Sequence, residues 1–175
     1  MLRIFEVDQP ASQREKRERL ESAAIRIPAN LTYVVVDFET DSLLSALQRA
    51  GFDPLQPVFL SWLGVMAYLR RDTIETIFRS VASLPKSSEI VFTFASESPE
   101  RKANASSSAT ETRAESLGEP WLSRFEPVDI DRMLRGMGFS DVSFLTPDEI
   151  DQRYIRGRQD GLFVMRRINI ASARV

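Results

Sequence analysis

Two aspartates, Asp8 and Asp37, each close a run that reads as extended: Leu2-Arg-Ile-Phe-Glu-Val-Asp8 before Gln9-Pro10, and Leu31-Thr-Tyr-Val-Val-Val36 before Asp37-Phe38. A carboxylate at the carboxyl end of a strand in an open α/β sheet faces the crevice where such folds bind ligands. There it can accept hydrogen bonds from a ribose hydroxyl pair. Aspartate is also an ordinary turn former and helix cap, so both readings stand at this point. The chain contains no Cys and no His. That excludes a thiolate nucleophile, a disulfide, a Ser-His-Asp triad and the usual zinc sites. A carboxylate-only Mg²⁺ or Ca²⁺ site is not excluded, but Asp129-Ile-Asp131 falls short of the spacing of a calcium loop. An enzyme built from these residues must work by positioning, by carboxylates, or through a cofactor that brings its own reactivity.

The elements that would position these acids follow from the hydrophobic pattern. Gln9 to about Ile27 reads as a solvated helix, with Ser12 and Glu15 at capping-box spacing and an apolar stripe of Leu20, Ala23, Ala24 and Ile27. Leu31 to Val36 is continuous and β-branched, the pattern of a strand buried on both faces of a parallel sheet. Asp41 and Ser42 can start a helix with Leu43, Leu44, Leu47 and Ala50 on one face and Gly51 as its stop. Pro57 to Trp62 is the third extended run. Asp72 and Glu75 are spaced to cap a helix with Ile74, Ile77, Phe78 and Val81 on its apolar face, and Glu89 to Phe94 is the fourth strand. Four strand–helix alternations predict a doubly wound, mostly parallel α/β sheet.

Ser96 to Ser116 is rich in Ser, Ala, Thr and Glu and poor in apolar residues, which predicts a mobile loop or insertion, with a substrate lid as the sharper alternative. Val128 to Met137 reads as a helix that ends in Gly138-Phe139 as the earlier one ends in Gly51-Phe52. The last two strands are expected at Val142–Leu145 and Gly161–Met165, paired antiparallel at one end of the sheet. The 175 residues suit one domain, 1–175. A net charge of −2 gives no global attraction to nucleic acid or to an anionic membrane, and no apolar run reaches membrane-spanning length. Without a signal peptide pattern, the expected compartment is the cytoplasm.

The wording of the chain is more specific than its pattern. Phe5-Glu-Val-Asp-Gln-Pro10, Lys16-Arg-Glu-Arg-Leu20, Val36-Asp37-Phe38, Gly51-Phe52-Asp53, Phe59-Leu-Ser-Trp-Leu-Gly-Val-Met-Ala-Tyr-Leu69 and Asp160-Gly-Leu162 occur in that order. Together they resemble the bacterial branch of the leucine carboxyl methyltransferase family. The resemblance runs from Phe5 to about Leu162 and implies a Rossmann-like class I methyltransferase sheet, mostly parallel with a late antiparallel strand. It further implies S-adenosyl-L-methionine as cofactor and a small-molecule methyl acceptor, with no nucleic-acid or membrane partner.

Residue by residue, the resemblance implies that Asp8 holds the cofactor's ribose hydroxyls. Asp37 would meet the adenine amino group, Phe38 would contact the same ring through its backbone, and Tyr68 would lie near the methyl acceptor. As plain residues, Asp37 could equally be a cap or turn former and Tyr68 a core aromatic. The expected activity is an O-methyltransferase acting on a carboxyl or hydroxyl group. The alternative is a non-catalytic, truncated Rossmann-like remnant able to self-associate. Two departures matter. Leu63 stands where many family members have Glu. The family's first strand and glycine-rich loop would lie before Phe5, so the resemblance implies an N-terminally truncated sheet, with homo-oligomer formation left open.

Overall fold

The computed structural model describes residues 2–96, 120–163 and 168–175. The chain forms two compact units, Met1–Gln56 and Pro57–Val175. The expected loop from Ser96 to Ser116 lies, apart from Ser96, outside the described residues.

In the first unit, β1 (Ile4–Asp8) and β2 (Leu31–Val35) pair in parallel, with Asp8 opposite Val35. The helix α1 (Pro10–Ser22) connects them, starting on a proline whose missing N–H costs nothing at that position. The helix is shorter than the sequence predicts, and its expected apolar stripe is not its buried face. Ala23 and Ala24 lie past its end, and Ile25 and Ile27 are exposed. Its one buried residue is Gln13, whose Nε2 donates to the carbonyl of Val34 at 3.1 Å and to the Glu6 carboxylate at 3.1 Å. The helix is thus docked by an amide that satisfies strand acceptors, while Arg17 stacks on Tyr33 with its guanidinium carbon 4.9 Å from the ring centre. β2 is buried at Val34 but exposed at Val35, so its two faces differ where the β-branched run predicts burial on both. Burial depends on what covers each face, which a strand's own residues cannot report.

The helix α2 (Leu43–Arg49) begins at Ser42, whose Oγ accepts from the Ser45 N–H, and buries Leu43, Ala46 and Leu47. It stops at Gly51, with φ at +86°, where the Phe52 N–H returns to the Leu47 carbonyl. The Phe52 ring then packs edge-on against Phe5 of β1.

The second unit holds a four-stranded sheet in the order β3-β4-β6-β5, from β3 (Phe59–Trp62), β4 (Glu89–Ala95), β5 (Asp141–Leu145) and β6 (Ile168–Arg174). β3 and β4 are parallel, and β6 runs antiparallel to both β4 and β5. The late antiparallel strand therefore exists, but it is later in sequence than expected and lies inside the sheet. Gly161–Phe163, the predicted start of that strand, is irregular, and the rest of the prediction, Val164 and Met165, lies outside the described residues. The strand that does form carries Ala171 and Ala173, both buried, between Phe92 and Ile90 of β4 and Phe144 and Val142 of β5. Small residues between two ranks of large ones let the layer interdigitate, and their modest hydrophobicity hides the strand from a search for apolar runs.

The helices α3 (Arg71–Ala82) and α4 (Pro127–Gly136) supply the core of this unit, burying Ile74, Ile77, Phe78 and Val81, and Ile130 and Leu134. Phe78 meets Trp62, Phe92 and Phe139 edge-on, with centroids 5.0–6.3 Å apart. After α4, Gly138 and Phe139 repeat the α2 ending: φ is +101° at the glycine and the Phe139 N–H bonds the Leu134 carbonyl. A four-residue helix, α5 (Pro147–Ile150), follows β5.

Candidate functional site

Asp8 is the last residue of β1, and its carbonyl accepts the Val36 N–H at 3.0 Å, continuing the β1–β2 ladder by one step. Asp37 follows immediately, so the parallel pairing sets both acids at the carboxyl end of the same two strands. Adjacent strands lie about 5 Å apart, and the two residues from Val35 to Asp37 add up to roughly 7 Å along the chain.

The two carboxylates are held locally. Asp8 Oδ1 accepts from the Gln9 N–H at 2.8 Å. Asp37 Oδ1 accepts from the Glu39 N–H at 3.0 Å, while the Asp37 N–H donates to Asp41 Oδ2 at 2.9 Å and the Asp37 carbonyl accepts from the Thr40 and Asp41 N–H groups. Asp37 is therefore a turn former as well as a strand-end acid, and the two readings of it are compatible. Among the described residues no further hydrogen bond to the second oxygen of either acid is present. Asp8 is half-buried, Asp37 exposed and the following Phe38 half-buried.

Tyr68 belongs to the second unit, at the end of a single 3₁₀ turn, Met66–Tyr68, between β3 and α3. It is 37% exposed and is not the core aromatic that remained open from sequence. The turn is fixed by groups that no motif singled out. The Gly64 N–H donates to Thr93 Oγ1 at 2.8 Å, tying the end of β3 to β4. The N–H groups of Leu122 and Ser123 both donate to the Ala67 carbonyl, and the Ser123 hydroxyl bonds the Leu69 carbonyl. Phe125 donates its N–H to the Ala95 carbonyl and receives the Arg71 guanidinium over its ring. Isolated Thr and Ser residues carry no sequence signal for such clamps; only the fold brings their partners within reach.

Among the described residues no group of three or more acidic side chains could hold a metal ion, and no helix is long and apolar enough to cross a membrane.

Comparison with known proteins points to a family. Residues 1–82 match the profile of the family described as leucine carboxyl methyltransferase. Over 176 aligned residues the chain is 32% identical to Bacillus subtilis YktD, whose name places it with S-adenosyl-L-methionine-dependent methyltransferases. The chain is related to the leucine carboxyl methyltransferase family. The match takes in 98% of the chain but 57% of YktD, so this leucine carboxyl methyltransferase homologue spans little more than half the length of that relative. A Mycobacterium bovis protein of similar name is 27% identical over 131 residues, 75% of the chain and 36% of its own length.

The fold agrees. A Streptomyces avermitilis duf574 family protein superposes with a TM-score of 0.60 at 17% identity, covering 98% of the chain and 64% of its own. Magnesium protoporphyrin IX methyltransferase from Synechocystis, solved with bound SAH, gives 0.55 at 11% identity over the same shares. At these identities the likeness establishes the class I methyltransferase fold. Asp8, Asp37, Phe38 and Tyr68 all fall within the residues that match the family profile.

Proposed function

We propose that this chain carries the nucleoside side of an S-adenosyl-L-methionine site, in an O-methyltransferase acting on a carboxyl or hydroxyl group of a small molecule. One observation carries the reading: Asp8 ends β1 and Asp37 lies two residues past the end of the adjacent parallel strand β2, at the end of the sheet where α/β folds bind nucleotides. The available donor set suits that half of the cofactor. Asp8 would accept from the ribose diol, Asp37 from the adenine amino group, and the half-buried Phe38 would line the ring through its backbone.

When bound, the cofactor supplies a methyl group on a sulfonium. Transfer to the acceptor oxygen would form an O–CH₃ bond as the S–CH₃ bond broke and its electron pair returned to sulfur. The protein's task is then alignment and exclusion of water. A carboxylate acceptor is already ionised at neutral pH and yields an ester with no proton to remove. The absence of His is consistent with such a reaction.

Isothermal titration calorimetry with S-adenosyl-L-methionine tests the assignment. Saturable binding is expected, and Asp8→Ala weakens it at least tenfold, about 1.4 kcal/mol. An unchanged affinity in Asp8→Ala sinks the ribose assignment. No binding at millimolar cofactor by a folded protein leaves the non-catalytic remnant as the reading.

A further inference from the structure

In the first unit, four charged side chains of α1, Arg14, Arg17, Glu18 and Glu21, line a groove of about 400 Å³ together with Val35 of β2. All five residues are exposed, Val35 to 52%. Arg14 and Glu18, and Arg17 and Glu21, stand four apart on the helix, yet among the described residues neither pair closes and none of the four charged groups has a hydrogen-bond or ion-pair partner. Their neighbours are satisfied: Glu15 pairs with Arg19 and Lys16 with Glu6. A basic residue preceding its acid is the weaker order for such a pair, which leaves these four charges available to groups from outside the chain.

The strand beside the groove is open as well. Among the described residues β2 pairs with β1 alone, and Asn30 and Val36 bond β1, so the two-residue period of the ladder turns the N–H and C=O groups of Tyr33 and Val35 to the outer edge. Gln13 bonds both Glu6 of β1 and Val34 of β2, so α1 lies astride the two strands and does not cover that edge. Adjacent strands lie about 4.8 Å apart. A two-fold axis normal to the sheet, half a strand spacing beyond β2, therefore sets a second α1 about 10 Å from the first, the distance at which helices pack.

We propose that the chain pairs with a second copy of itself along this edge, β2 against β2 and the two α1 helices side by side and antiparallel. The order of charges names the occupant. The stripe is basic in its first half and acidic in its second, and positions 14 and 21, like 17 and 18, are equidistant from a point between Arg17 and Glu18. An antiparallel copy centred on that point sets Arg14 against Glu21 and Arg17 against Glu18, each pair made twice by the symmetry. Val35, in water in the single chain, is covered by the same contact.

Sedimentation equilibrium of the full chain over a range of concentration tests this. A reversible monomer–dimer equilibrium is expected, weakened by added salt. Arg14→Glu sets like charges together twice, as does Glu21→Arg, and each is expected to raise the dimer dissociation constant roughly tenfold or more. The double variant Arg14→Glu with Glu21→Arg exchanges the charges within each copy and is expected to return it to within about threefold of the parent. Mixing the two single variants is expected to give the heterodimer, which also shows that both are folded. Val35→Lys, a charge on the open edge, is expected to abolish pairing. A chain that stays monomeric at every concentration overturns the proposal and leaves the groove to a partner of another sequence. A dimer indifferent to the single reversals or to Val35→Lys overturns it too, since the copies then meet elsewhere, as does failure of both the double variant and the mixture to restore pairing.

Discussion

The acid at the end of β1 and the acid just past β2 are ordinary residues brought side by side by where a parallel ladder stops. Their placement is set by strand spacing and by the one extra hydrogen bond from Val36 to Asp8, so the ligand proposed for them would meet them pre-placed. Both were legible because an acid closing an extended run is a local pattern. Gln13 was not: a glutamine in a helix of Arg, Glu and Lys looks like one more solvated side chain. Its amide instead bonds the Val34 carbonyl and the Glu6 carboxylate, and Lys16 pairs with the same Glu6. Gln13→Leu is expected to lower stability by about 1–3 kcal/mol, because the buried Val34 carbonyl loses a donor and nothing replaces it. Urea denaturation monitored by far-ultraviolet circular dichroism checks this; a midpoint unchanged from the parent would show that the helix docks by other means.

Among the elements, helix endings were read better than helix beginnings. Gly51-Phe52 and Gly138-Phe139 both end a helix on a left-handed glycine and seed an aromatic contact, because glycine adopts that conformation without strain and its neighbour's N–H can then turn back. The capping pairs expected at Ser12–Glu15 and Asp72–Glu75 do not form: those residues lie inside their helices or in the first turn. A reciprocal capping box forms instead at Thr146 and Glu149, where each side chain bonds the other's N–H. The Thr146 N–H and hydroxyl hold the Glu149 carboxyl below its ordinary value near 4.5, assisted by Arg153. With the folded pKa depressed, the cap's contribution is complete above the ordinary carboxylate range and is lost as pH falls through the lower folded value. Thr146→Ala is expected to return the Glu149 titration towards its ordinary midpoint, read by the carboxyl carbon shift in an NMR pH series.

For the molecule as a whole, the proposed cofactor site makes stability depend on ligand. At a hundredfold excess over Kd, S-adenosyl-L-methionine is expected to add about 2.7 kcal/mol to the stability of the native state. A thermal unfolding midpoint indifferent to cofactor at that concentration contradicts the site; so does an Asp8→Ala protein that responds like the parent at the same concentration. The sequence by itself determined the order of strands and helices, the strand-end acids and the family, because these live in local periodicity and in short ordered motifs. Tertiary structure alone decided where the last strand runs. Ile168–Arg174 is recognisable only when Ala171 and Ala173 are seen fitting between the large side chains of β4 and β5. It also decided which side of β2 is covered and how Thr93 and Ser123 clamp the turn that carries Tyr68. Each of these depends on what a residue meets across space, and a side chain's neighbours along the chain carry no record of that.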